Sequence, residues 1–149
     1  MTTRNGWTLL FHECVIEQLR KLEAAAAKAR ANDPHGSNAT VKLFNALAHL
    51  IFEVIPADPG RDDYRQGNTM GGEFRHWRRA KIGRRFRLFF RYDTKAQVII
   101  FAWVNDENTL RSSGAKTDPY IVFQKMLRSG NPPDAWDQLQ AKAKANWKL

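Results

Sequence analysis

Arg75-His76-Trp77-Arg78-Arg79-Ala80-Lys81-Ile82-Gly83-Arg84-Arg85-Phe86-Arg87-Leu88-Phe89-Phe90-Arg91-Tyr92 is the stretch on which the fold turns. Aromatic and β-branched residues flank a Gly83-Arg84 break, so it reads as two strands of a hairpin, Trp77–Ile82 and Arg85–Tyr92. A period of two places Arg85, Arg87, Phe89 and Arg91 on one face and Phe86, Leu88, Phe90 and Tyr92 on the other. The second set is expected in the core. The first is expected to form an arginine face with an aromatic among its cations, extended by Trp77, Arg79 and Lys81 of the neighbouring strand. A third strand, Val98–Val104, follows the turn-prone Asp93-Thr94-Lys95.

Working outward, Gly6-Trp7-Thr8-Leu9-Leu10-Phe11 reads as a short strand. Val15, Leu19, Leu22 and Ala26 recur at helical spacing and predict a helix over residues 13–31, which Asn32-Asp33-Pro34-His35-Gly36 ends. Leu43, Leu47, Leu50, Ile51 and Val54 predict a second helix over 38–55, stopped by Pro56 and paired with the first as a helical hairpin. Residues 56–72, rich in Gly and Pro, form a long loop of the kind that is usually functional or mobile. Asp118-Pro119 supplies an N-cap and a first-position proline for a helix to Arg128, closed by Ser129-Gly130. Pro132-Pro133-Asp134 opens a last helix carrying Trp136, Leu139, Ala143 and Trp147. The order strand, two helices, three strands, two helices predicts one α+β domain over residues 1–149. It should have a small, mostly antiparallel sheet and helices packed on one side.

Composition restricts the partner. Across 149 residues, 24 Lys and Arg against 15 Asp and Glu leave a net charge of +9, which points to a polyanion: nucleic acid first, an anionic membrane second. Nine Phe and five Trp are too much apolar surface for a disordered basic tail. No run of eighteen apolar residues appears, and the start has no signal-peptide core, so a cytoplasmic protein is expected. The single Cys14 makes neither an internal disulfide nor a thiolate zinc site. His12, His35, His49 and His76 fall in separate elements without metal-ligand spacing, and no Gly-rich loop matches a phosphate-cradling fingerprint.

Residues 75–91 hold seven Arg, one Lys and no acid. A merely solvated sheet face would intersperse acids, because like charges opposite each other destabilise the pairing. The acid-free row therefore suits phosphates and stacked bases: Trp77, Arg78, Arg84, Arg85, Phe89 and Arg91 are the candidate RNA contacts here. Where the last strand ends, residues 105–120 bring Asn105, Asp106, Glu107, Arg111, Lys116 and Tyr120 together. They read equally as a capped loop or as the lip of a site beside the arginine face. A membrane role fits poorly, because the basic run reads as strands.

Phe86-Arg87-Leu88-Phe89-Phe90-Arg91-Tyr92, Trp103-Val104-Asn105-Asp106-Glu107-Asn108-Thr109-Leu110-Arg111, Gly114-Ala115-Lys116-Thr117-Asp118, Phe123-Gln124-Lys125-Met126-Leu127 and Pro132-Pro133-Asp134-Ala135-Trp136 resemble the YhaV family. That family comprises toxins of bacterial type II toxin–antitoxin pairs and is a branch of the RelE-like fold. The likeness runs from about Asn5 to Trp136. It implies an RNA-cleaving toxin acting on messenger RNA at the ribosome, without metal or cofactor. It further implies inhibition by a PrlF-like antitoxin, with operator DNA reached only through the antitoxin complex. By the same resemblance Arg79 and Lys81 match the basic pair before a conserved glycine, here Gly83, Arg87 the arginine after an aromatic, and Arg111 the distal basic residue. Ser113 stands where the family places an aromatic, which leaves Tyr120, Trp77 or Phe89 to stack on a base.

The chemistry asks for an in-line 2′-hydroxyl, charge stabilisation on the phosphorane and proton transfer to the leaving 5′-oxygen. Arginine forks meet the second need. For proton transfer, Lys81, its charged form disfavoured by Arg79 and Arg87, stands beside Asp106 or Glu107 and His76 as alternatives. The competing class is a non-catalytic nucleic-acid-binding protein using the same face.

Overall fold

The structure is a computed structural model that describes residues 2–33 and 38–146; His35 and the Trp147 of the predicted last helix lie outside the described residues. Its sheet has six strands: β1 (Thr2–Arg4), β2 (Trp7–His12), β3 (Arg78–Ile82), β4 (Phe86–Asp93), β5 (Val98–Val104) and β6 (Ala143–Lys144). The main path runs β1-β2-β5-β4-β3, with β6 on the far end of β2. All pairs are antiparallel except β2 with β5, which is parallel. That parallel pair is possible because the chain leaves β2 through α1 (Glu13–Asn32) and α2 (Ala39–His49) before it returns to the sheet.

Two features of the terminal segments differ from the sequence expectation. β1 carries no signal in the sequence, being three residues with no hydrophobic alternation. The last helix is α5 (Trp136–Ala141) only, because Ala143 and Lys144 leave it to pair with His12 and Phe11.

The helices do not lie on one side. Every residue of β5 is buried, as a strand covered on both faces must be. On one face Leu88, Phe90, Ile99 and Phe101 pack against Leu19, Leu47, Ile51 and Ile55 of α1 and the α2 continuation. On the other, Phe89, Ile100 and Trp103 pack against Tyr120, Phe123 and Leu127 of α4 (Pro119–Ser129) and Leu139 of α5. A shift of register between Phe89 and Phe90 opposite β5 places Ala102 and Trp103 together in this second core.

Beyond α2 the backbone widens into a π-helical turn, Leu50–Val54, and ends in α3 (Ile55–Ala57). Pro56 sits there, where its missing N–H and bulky ring would break an ordinary α-helical ladder. Taken as one helix, Ala39–Ala57 is long and apolar enough to cross a membrane, yet Leu47, Ile51 and Ile55 are fully buried under the sheet. The 58–77 connection is not idle coil: it makes short helical turns at Asp62–Tyr64 and Gly72–Phe74, and Arg65 bridges to Arg78 beside the free edge of β3.

Candidate active site

The arginine face is real but shorter than the sequence pattern, and most of it lies under a roof. Register sets Arg79 opposite Phe89 and Lys81 opposite Arg87, so these four share the face covered by α4. Phe89 and Trp77 have no exposed surface; Phe89 stacks on Phe123 at 4.4 Å, and Trp77 meets the same ring edge-on at 5.0 Å. Neither ring can receive a base. The alternation along β4 is as expected, but the second helical layer turns the supposed open aromatics into core.

Arg91 is half-buried and engaged by the protein itself. Its guanidinium lies between the Trp77 and Trp136 rings, 5.6 and 5.3 Å from their centroids, and donates to the Asp134 carbonyl. Burial lowers its pKa, with Asp134 opposing. It braces the 132–136 turn against the sheet. His76 belongs to this bracket as well, paired with Asp134 Oδ1 at 2.6 Å, while Trp77 Nε1 donates to the same oxygen at 2.7 Å. The candidate base His76 thus sits beyond the opposite end of β3 from Lys81.

At the other end the chemistry concentrates. Asp118 caps α4, accepting from the Tyr120 N–H at 3.1 Å, and this fixes Tyr120 in the first helical turn. The Tyr120 ring packs edge-on to Phe89, which directs its hydroxyl toward the arginines. Arg79 Nε donates to that hydroxyl at 2.7 Å and Arg87 Nε at 3.2 Å. Arg87 also donates from Nη1 to the carbonyls of Phe86 and Arg84, and Arg79 from Nη1 to the carbonyl of Asp63. Arg111 lies over the Tyr120 ring at 4.8 Å and donates to Asp118 at 2.6 Å. Four residues drawn from β3, β4, the 105–118 segment and α4 therefore form one cluster around the phenol, with the exposed Lys81 beside them.

The charge balance is unusual. Arg87 is only 6% exposed, yet all its partners are neutral oxygens. Among the described residues neither Arg79 nor Arg87 is paired with a carboxylate, and the nearby Asp118 is taken by Arg111. A buried guanidinium without a counter-charge is costly, and the cost is relieved when an anion binds.

Asn105, expected as an RNA contact, is 3% exposed and turns its side chain inward. It accepts from the Arg87 N–H at 2.6 Å and donates to the carbonyls of Arg85 and Thr109 at 2.8 Å each. It ties the lip to β4 and so sets where Arg111 emerges. Asp106 and Glu107 line a groove of about 460 Å³ with Gln18, Lys21, Leu22 and Phe86, on the α1–α2 face of the sheet. Asp106 Oδ1 is engaged by the Thr109 hydroxyl and the Asn108 N–H. Among the described residues it makes no hydrogen bond or ion pair with Arg79, Arg87 or Tyr120, so the acid expected beside them is not one of the groups gathered at the phenol. Arg84, Arg85 and Lys116 are exposed, and Arg78 is half-buried over the Tyr92 ring on the other face of β3. Sequence reasoning missed the Asp63 carbonyl, for which a backbone oxygen leaves no residue-type signal.

A model of toxins with endonuclease activity, of toxin–antitoxin systems, matches residues 9–144. The chain belongs to the YhaV toxin family. It is 43% identical over 139 residues to "Toxin YhaV" of Escherichia coli O6:H1 and to "Ribonuclease toxin YhaV" of Escherichia coli K12, covering 91% of this chain and 90% of each relative. No solved structure matches. The family match spans β2 to β6, so the Arg79, Arg87, Arg111 and Tyr120 cluster lies wholly inside the YhaV region. An endonuclease has to bind and polarise a phosphodiester, and in this chain the unpaired guanidinium pair is the group suited to that chemistry.

Proposed function

We propose that this toxin is a RelE-like, metal-independent endoribonuclease that cuts messenger RNA at the ribosome and is held in check by a PrlF-like antitoxin. Operator DNA is reached only through the antitoxin complex, and the working compartment is the cytoplasm. The observation that carries the reading is the convergence of Arg79 Nε and Arg87 Nε on the Tyr120 hydroxyl, with no carboxylate among the described residues on either guanidinium. A phosphate oxygen supplies the missing counter-charge.

In this mechanism the scissile phosphate docks at Arg79 and Arg87, whose fixed positive charge stabilises the phosphorane as the 2′-oxygen attacks in line. Both lone pairs of the Tyr120 oxygen are taken by the two arginines, so its remaining hydrogen-bonding capacity is its proton, donated to a phosphate oxygen. Lys81, exposed and opposite Arg87, is the one candidate base that shares the cluster's face; it takes the 2′-hydroxyl proton and passes it to the departing 5′-oxygen as the P–O5′ bond breaks. Arg111 completes the cationic wall. The name "Ribonuclease toxin" carried by the K12 relative supports RNA as the substrate.

The test is a defined RNA incubated in EDTA with and without translating ribosomes, beside the Arg87→Ala variant, with the cut ends mapped. Cleavage leaving 2′,3′-cyclic or 3′-phosphate ends is expected. Arg87→Ala should lower the rate by about 10²–10³-fold, as for removal of one charge-stabilising donor. Full cleavage by a folded Arg87→Ala protein overturns the assignment.

A further inference from the structure

We propose that the free edge of β3 and the 61–75 connection form a second, non-catalytic site, a phosphate track that holds single-stranded RNA to one side of the scissile phosphate. The proposal rests on the ribonuclease reading above. Arg79 is the junction: its Nε faces Tyr120, while its Nη1 donates to the Asp63 carbonyl on the outer side of the strand. Past that junction lies an open groove of about 560 Å³ whose walls carry Arg61, Arg65, Arg79 and Lys81. Arg65 also lines the next groove, about 490 Å³, with Arg75, Arg78 and His76. The two grooves share a wall, so cations follow one another from Lys81 to Arg75 without a gap.

The acids along this path do not cancel it. Asp63 pairs with Arg61 at 2.8 Å and Asp62 with Arg65 at 3.5 Å, both solvent-exposed pairs of the weak kind. Among the described residues no acid lines the second groove itself, where Arg75 Nε is held by the neutral Asn68 and Arg78 Nη1 by the Arg75 carbonyl; Asp134 reaches only its His76, at 2.6 Å. Arg78 adds its charge at the rim of this groove, its guanidinium lying over the Tyr92 ring. Spaced cations beside an open strand edge suit a sugar–phosphate backbone, which needs repeated charge neutralisation and no deep apolar pocket.

The experiment measures binding of a fluorescent single-stranded RNA, 2′-O-methylated so that it is not cut, over a series of salt concentrations. Arg65→Ala/Arg75→Ala is compared with the wild type and with Lys28→Ala/Lys42→Ala, which removes the same charge from exposed positions on α1 and α2. The track variant is expected to flatten the dependence of log K on log salt by about 0.7 for each phosphate left without its cation. The helix variant is expected to keep the wild-type slope. Equal slopes for all three proteins overturn the track and leave the grooves to an acidic protein segment instead. If the wild type neither binds nor cuts RNA, the ribonuclease reading itself falls. In a second measurement, 4-thiouridine flanking the cut site is photo-crosslinked to the wild-type protein, so the result does not depend on a variant's folding. Crosslinks within residues 61–78 support the track, and crosslinks confined to residues 83–85 and 106–116 overturn it.

Discussion

Arg87 and Tyr120 meet inside the protein, guanidinium Nε to phenol oxygen at 3.2 Å, each residue less than a tenth exposed. The contact joins β4 to the first turn of α4, so the roof of the second core also positions the charge. Arg79 reaches the same oxygen from β3, and one hydroxyl thereby sets the spacing of two guanidinium groups.

Tyr120→Phe removes that oxygen and leaves the ring in its place against Phe89. The two Nε donors lose their shared acceptor, at a cost of about 1–3 kcal/mol in stability. Because the arginines keep their charge but lose their alignment, kcat should fall by up to about 10²-fold while KM changes little. A variant with wild-type kcat would show that the hydroxyl positions nothing.

Phe89→Ala separates burial from base stacking. The ring packs against both Phe123 and Trp103, which also stack on each other, and has no exposed surface. Urea denaturation should show a loss of about 3–5 kcal/mol, the usual range for a phenylalanine cut from a core. Unchanged stability with weakened RNA binding would instead restore the ring to the RNA surface.

Asp118 is 2% exposed and accepts from Arg111 Nη1, the Ser112 N–H and the Tyr120 N–H. Asp118→Ala should cost roughly 2 kcal/mol, about half from the missing helix cap and about half from the Arg111 pair, discounted for that side chain's exposure to water. Asp118→Asn keeps part of the cap and should recover part of the stability. Equal denaturation curves for Asp118→Ala and the wild type would contradict the capping role.

His12 caps α1 through Nδ1, which accepts from the Cys14 N–H at 3.1 Å. Burial lowers its pKa from the ordinary 6.5, partly offset by Glu13 and reinforced by Lys142. The unfolded chain therefore binds this proton more readily than the folded one. The histidine's contribution is fully present above pH 6.5 and is lost as the pH falls below it toward the lower folded value. Thermal melting should show a decline over that interval which is reduced in His12→Asn, a variant that keeps a capping oxygen. An identical decline in both proteins would assign it to other groups.

The hairpin, the third strand and the first long helix are legible in the sequence because their signals are local. Val98–Val104 has the expected bounds, and α1 ends at Asn32, one residue beyond the expected 31. The Asp118-Pro119 cap is equally visible, since an acid followed by proline carries its own geometry. Resemblance to the YhaV family reaches Arg79, Arg87 and Arg111, all of which meet at Tyr120. Asp106 of the same motif lines the groove with Gln18 and Lys21 of α1 instead.

Local periodicity, turn residues and charge thus specify a basic α+β chain with an arginine-bearing hairpin, because each depends on neighbours a few positions apart. Which arginines remain a site is settled by contacts distant in sequence. Helices α4 and α5 cover the face that alternation alone leaves open; burial converts Trp77 and Phe89 to core and the Trp136 ring engages the half-buried Arg91, while Tyr120, 33 residues beyond Arg87, gathers the rest. Alternation reports which side of a strand a residue takes, and only the packing of another element reports whether that side meets water.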